Sequence, residues 1–87
     1  MKYIFCENIS WQIYDDFVYI VNEITRQKIV LNNTAKEIWC GISSGLSLEE
    51  NENKLLKKYD VKQEIIHRDI NKIYSDLVKR NILKEVC

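Results

Sequence analysis

At 87 residues the chain has room for one domain with one modest core, because a chain of this size buries roughly 60–65 % of the surface it exposes when unfolded. Hydrophobic residues make up 46 % and charged residues 30 %, with no proline and two glycines, a composition that excludes a disordered segment and leaves nothing to serve as a flexible linker. The 13 basic and 13 acidic side chains cancel, so the surplus of Lys and Arg that DNA-binding domains use to neutralise phosphates is missing.

The first third has the pattern of β-structure. Ile9, Trp11 and Ile13 alternate with Ser10 and Gln12, the period-2 signature of a strand with one buried face. Asp15-Asp16 forms a turn, Phe17 to Val21 a β-branched and aromatic run suited to a central strand, and Asn22-Glu23-Ile24-Thr25 the next reversal. Gln27 to Leu31 is a third short strand. Strands joined by turns this short predict an antiparallel meander.

After Leu31 the period changes to that of a helix. Ala35, Ile38, Trp39 and Ile42 share one face, Asn32 or Asn33 suits the N-cap, and the helix runs out in Gly41-Ile42-Ser43-Ser44-Gly45. Ser47-Leu48-Glu49-Glu50 has the form of a capping box. The helix it opens carries Leu48, Leu55, Leu56 and Tyr59, and its polar stretch Asn51-Glu52-Asn53 predicts packing mainly through the second half. Asp60-Val61 ends it. The last helix, Gln63 to Arg80, carries the stripe Ile66, Ile70, Ile73, Tyr74 and Leu77 with Ile65 and Val78 at its shoulders. Asn81 stops it, and Ile82-Leu83 returns to the core or adds a short strand. Residues 1–87 thus predict a single α+β domain, winged-helix-like, with a three-stranded antiparallel sheet followed by three helices.

Catalytic equipment is sparse. His67, the sole imidazole, lies beside Arg68 and Asp69 on a helix and has no partners for a triad, so it is expected to be a solvated surface residue. Trp11 and Trp39 are expected in the core. No glycine-rich loop can cradle a phosphate. Cys6, Cys40 and Cys87 are widely spaced, form no C-x-x-C and have no His near them in sequence, which argues against zinc and against a reactive thiol. No metal, no cofactor and no enzymatic activity are expected. Scattered thiols without a signal peptide fit a cytoplasmic protein, and no apolar run approaches the ~18 residues that span a bilayer.

The third strand offers a different chemistry. As the outer strand of a meander it presents unpaired N–H and C=O groups, and Arg26-Gln27-Lys28-Ile29-Val30-Leu31 contains no proline to blunt that edge. Such an edge is either solvated, paired with a second copy as a peptide-free homodimer, or occupied by an extended peptide through strand addition.

Several motifs in order carry a resemblance. Leu31-Asn32-x-Thr34-Ala35-x-x-Ile38-Trp39, then Ser47-x-Glu49-Glu50, then Leu55-x-x-x-Tyr59-Asp60-Val61, then a long helix ending in Asn81-Ile82-Leu83, resemble the PqqD-like family, the leader-peptide-binding RiPP recognition elements. The likeness runs from about Ile9 to Leu83. It implies that the leader of a ribosomally made precursor peptide binds as an added strand on the third strand, in a groove against the last helix. Carried onto this chain, the binding residues are Lys28, Ile29, Val30 and Leu31 on the strand, and Ile66, Asp69, Ile70, Ile73, Asp76 and Leu77 on the helix. Asp69, Lys72 and Asp76 flank one shoulder of the apolar stripe and could read leader charges; His67 and Asn71 flank the other. Either shoulder can line the groove, and plain core packing is the competing role for Ile66, Ile70, Ile73 and Leu77. Asn51 stands where the family is usually apolar, which predicts looser packing of the second helix. Asn81 replaces the usual Gly and can adopt the same left-handed cap.

The resemblance further implies a stand-alone adaptor that presents a precursor to a separate catalyst, a radical SAM enzyme or, for lasso peptides, a leader peptidase with a cyclase. It involves neither nucleic acid nor membrane. The competing class is a winged-helix transcription regulator whose last helix enters the major groove. Arg68, Lys72, Lys79 and Arg80 favour it, while Glu64, Asp69 and Asp76 on the same helix oppose it.

Overall fold

The computed structural model describes residues 2–86; Cys87 lies outside the described residues. Five strands and three helices follow in the order β1 (Lys2–Phe5), β2 (Ile9–Tyr14), β3 (Phe17–Asn22), β4 (Lys28–Asn32), α1 (Asn33–Ser43), α2 (Leu48–Lys58), α3 (Gln63–Lys79) and β5 (Leu83–Val86). The expected α+β meander is present as the sheet β2-β3-β4, with β3 central and both pairings antiparallel.

A second, two-stranded sheet adds to it. β1 pairs antiparallel with β5, from Lys2 opposite Val86 to Phe5 opposite Leu83, and Cys6 N–H extends the ladder to the Ile82 carbonyl at 2.9 Å. The pairing closes both ends of the chain over the core. Phe5 stacks on Trp39 with centroids 4.5 Å apart, and Tyr3 meets Tyr74 edge-on at 4.7 Å.

The core lies between the inner face of β3 and the three helices. Val18, Ile20, Trp39, Leu55, Ile70 and Tyr74 are all buried in it. The alternation in β2 does not bury its apolar face as expected: Trp11 is 38 % and Ile13 43 % exposed. β2 is the outer strand, and Phe5 and Trp39 meet Trp11 edge-on. Trp39 alone of the two tryptophans is a core residue.

Helix α2 also packs differently from its apolar pattern. Asn51, near its start, is fully buried, with Glu52 close behind. The Asn51 amide donates to the Ile38 carbonyl at 2.9 Å and to the Tyr74 hydroxyl at 3.1 Å. It thereby ties α2 to α1 and α3, whereas an apolar side chain would only fill the space. Gly41 is the complement on α1, since a Cβ built there would fall 2.2 Å from Asn51 Oδ1. That glycine marks a close helix approach inside α1, not the helix end. The expected capping box is formed: Ser47 Oγ accepts from Glu50 N–H at 3.1 Å and Ser47 N–H donates back to Glu50 Oε1 at 3.0 Å.

At the far end of α3, Asn81 takes the left-handed conformation expected of it (φ 60°). The following Ile82 N–H then closes on the Leu77 carbonyl at 3.0 Å in a helix-ending motif that satisfies otherwise orphaned carbonyls.

Candidate functional site: the groove between β4 and α3

Strand β4 alternates as a half-buried strand should. Ile29 and Leu31 pack against the core while Lys28 and Val30 face solvent, Val30 at 53 % exposure. Across the sheet Ile29 stands opposite Ile20 and Leu31 opposite Val18. Antiparallel pairs alternate between those that exchange both backbone bonds and those that exchange none. Asn22 N–H donates to the Gln27 carbonyl at 2.9 Å, which sets the phase: Ile29 and Leu31 bond to β3, and Lys28 and Val30 turn their N–H and C=O groups outward. β4 pairs with β3 alone, so among the described residues no strand occupies that outer edge.

At the Leu31 end of this strand lies a groove of about 770 Å³; Lys28, Ile29 and Val30 are not among its lining residues. Leu31 from β4 and Thr34 from the first turn of α1 form one side, and Asp69, Lys72, Ile73 and Asp76 are among the α3 residues forming the other. Leu31, Ile73 and Leu77 give it an apolar floor between charged rims.

The α3 residues singled out from the sequence divide by depth. Asp69, Ile73, Asp76 and Leu77 line the groove. Ile66, Ile70 and Leu77 are at most 5 % exposed and belong to the core. Ile66 and Ile70 hold α3 in place from beneath and do not border the groove; Leu77 does both. Ile73 is half-buried, with one side on the core and the other on the groove.

The structure also distinguishes the two shoulders of α3. Asp69, Lys72 and Asp76 face the groove. His67 turns the other way, its Nδ1 2.6 Å from Glu52 Oε1 on α2. The imidazole is solvated as expected, but it also partners a carboxylate whose side chain is only 11 % exposed. Thr34, Ser75 and Lys79 complete the lining. Ser75 and Lys79 share the helical face of Lys72, so the spacing of α3 could have revealed them; Thr34 reaches the site only through the β4–α1 junction.

Charge along the groove is partly compensated. Arg80 Nε lies 3.1 Å from Asp76 Oδ2, and Arg68 Nε 3.9 Å from Asp69 Oδ1. Among the described residues there is no group of three or more His, Cys, Asp or Glu able to hold a metal ion, and no helix is long and apolar enough to cross a membrane.

Among solved structures, the chain is similar to TbiB1 in complex with the TbiA(beta) leader peptide, with a TM-score of 0.91 and 21 % identity over 100 % of this chain and 99 % of that one. It is also similar to lasso peptide synthetase B1 complexed with the leader peptide, with a TM-score of 0.88 and 20 % identity over 98 % and 100 %. The fold is theirs. No protein-family model and no curated protein matches the chain.

Proposed function

We propose that this chain is a non-catalytic adaptor that binds the leader segment of a ribosomally made precursor peptide. The leader adds as a strand to β4 and lies along α3, and the adaptor presents the rest of the precursor to a separate modifying enzyme. One observation carries the reading: the strand whose Lys28 and Val30 turn unpaired N–H and C=O groups outward also contributes Leu31 to an apolar-floored groove against α3, in a fold shared with two proteins solved with leader peptides bound. An extended peptide satisfies those backbone groups and places alternate side chains over Leu31, Ile73 and Leu77, the combination that gives strand addition its affinity and its specificity. Holding the precursor near the catalyst raises its effective concentration there. A leader peptidase with a cyclase is favoured over a radical SAM enzyme as that catalyst, because one of the two similar proteins is a lasso peptide synthetase B1.

The test is Val30→Pro, with binding measured to the leader of a precursor encoded beside this chain's gene. The Val30 N–H points away from β3, so proline spares the β3–β4 ladder, as proline on an outer edge generally does. It removes a donor to the guest and sets its ring in the guest's path. Affinity is expected to fall ~10-fold or more with the fold intact by circular dichroism. Unchanged affinity overturns strand addition. Light scattering with and without peptide checks whether a second copy occupies the same edge when it is empty.

A further inference from the structure

The charges beside the open edge are unequal in their partners. The two groove aspartates, Asp69 and Asp76, each have an arginine of α3 beside them. Lys72 and Lys79 line the same groove, and among the described residues their side chains have no ion pair or hydrogen bond. The side chains of Arg26 and Lys28, in the cleft at the start of β4, are likewise without one, while the Glu23 carboxylate beside them accepts from Ser10 Oγ at 2.5 Å. From Arg68 to Arg80 the helix carries four cations and two aspartates. The path beside β4 therefore carries six cations, Arg26, Lys28, Arg68, Lys72, Lys79 and Arg80, against the three carboxylates Glu23, Asp69 and Asp76, an excess of positive charge although the chain as a whole is neutral.

We infer that the guest is an acidic extended segment, with apolar side chains on the floor of Leu31, Ile73 and Leu77 and carboxylates reaching Lys72 and Lys79. This rests on the strand-addition reading and adds the chemistry of the ligand. Lys72 and Lys79 stand two helical turns apart, about 10 Å along the axis. Their flexible stems can meet side chains two or four residues apart on one face of a strand, which are ~7 or ~13 Å apart. A polyanion such as DNA would satisfy the cations but would leave the edge N–H and C=O groups of Lys28 and Val30 and the apolar floor without complements; only a polypeptide answers all three.

The experiment is a display selection of random twelve-residue peptides against the full-length protein, run in parallel on the wild type, on Lys72→Glu/Lys79→Glu and on Val30→Pro. Binders lost on Val30→Pro are the ones that use the edge. Among them, Asp and Glu are expected to be enriched on the wild type, by up to about fivefold per carboxylate, and the preference is expected to invert toward Lys and Arg on the double variant. Edge-dependent binders with no acidic excess, or with an excess unchanged by the double variant, overturn the inference and leave strand addition standing. A selection that yields no edge-dependent binders overturns strand addition itself. A gel shift with duplex DNA that weakens steeply with salt and is lost on the double variant assigns the cations to phosphate and overturns the inference.

Discussion

The side-chain amide of Asn22 donates to the backbone carbonyl of Asn81 at 3.1 Å, joining the end of β3 to the turn that follows α3. Its Oδ1 meanwhile accepts from Ile24 N–H at 3.0 Å and Thr25 N–H at 3.1 Å, inside the turn that leads to β4. One buried side chain thus connects the turn feeding one groove wall to the stop of the other. Both segments carry a left-handed residue, Arg26 (φ 66°) and Asn81 (φ 60°), and Asn22 bonds to the backbone of each.

Asn22→Ala removes all three hydrogen bonds and leaves part-buried backbone groups of Ile24, Thr25 and Asn81 without these partners. The expected loss of stability is about 1–3 kcal/mol, measured by denaturant unfolding. Leader affinity is expected to fall as well, because the spacing between β4 and α3 is no longer fixed. A variant that loses stability but binds the leader as the wild type does would show that the groove is set elsewhere.

Gly41 and Asn51 meet at a close approach between α1 and α2. A methyl group at Gly41 meets the Asn51 amide carbon at 2.6 Å as well as its oxygen, and the amide cannot swing away without breaking its bonds to Ile38 and Tyr74. Gly41→Ala is therefore expected to destabilise by roughly 1–3 kcal/mol despite alanine's better helix propensity. In the background of Asn51→Ala the same substitution is expected to cost far less. The double-mutant cycle measures this coupling, and additive effects would rule out the steric account.

Much of this was legible in the sequence. The meander, the capping box at Ser47 and the long stripe of α3 depend on local periodicity and on caps formed by neighbours in the chain, so the pattern sufficed. A short strand at Ile82-Leu83 was one of two outcomes the sequence offered, but the β1–β5 pairing was not legible, because Lys2–Phe5 and Leu83–Val86 are four-residue strands far apart in the chain whose pairing is wholly non-local. Asn51 misled for a related reason: a polar residue reads as exposed until its partners, an α1 carbonyl and the Tyr74 hydroxyl, are known. At the groove, periodicity identified the face of α3 that meets the core. The choice between the Asp69 and His67 shoulders depended on where α2 packs.

Tyr74 gives the fold an alkaline limit. Burial is the main cause that raises its phenol above the ordinary tyrosine value; the Asn51 hydrogen bond opposes this in part, and the negative charges of Tyr3 and Glu49 add to it. A phenol whose folded pKa is raised favours the folded state while both states are protonated. That contribution is lost as pH rises past the unfolded value near 10 and through the folded one. Tyr74→Phe is expected to flatten the decline in stability above about pH 10 while lowering stability at neutral pH through the lost Asn51 contact. Tyr3, raised by burial and then by Glu85 and Glu49, leaves a residual slope. Unfolding midpoints measured from neutral to strongly alkaline pH decide the matter, and an unchanged slope in the variant would show that other groups set it.

His67 and Ile73 separate the two sides of α3. His67 Nδ1 is 2.6 Å from Glu52 Oε1, and no other contact of that carboxylate competes with it among the described residues. His67→Ala leaves a largely buried acceptor unsatisfied and is expected to cost about 1–3 kcal/mol in stability. It points away from the groove, so leader affinity is expected to stay within about twofold of wild type, less than half a kcal/mol. Ile73→Ala should show the converse bias. Ile73 is only half-buried, so truncation opens a smaller cavity than at a core isoleucine, where loss is roughly 2–5 kcal/mol, but it removes apolar floor that the guest covers. Urea unfolding and peptide titration on both variants give a two-by-two comparison. If His67→Ala weakens the leader as much as Ile73→Ala does, the groove on the Asp69 shoulder is not where the peptide lies.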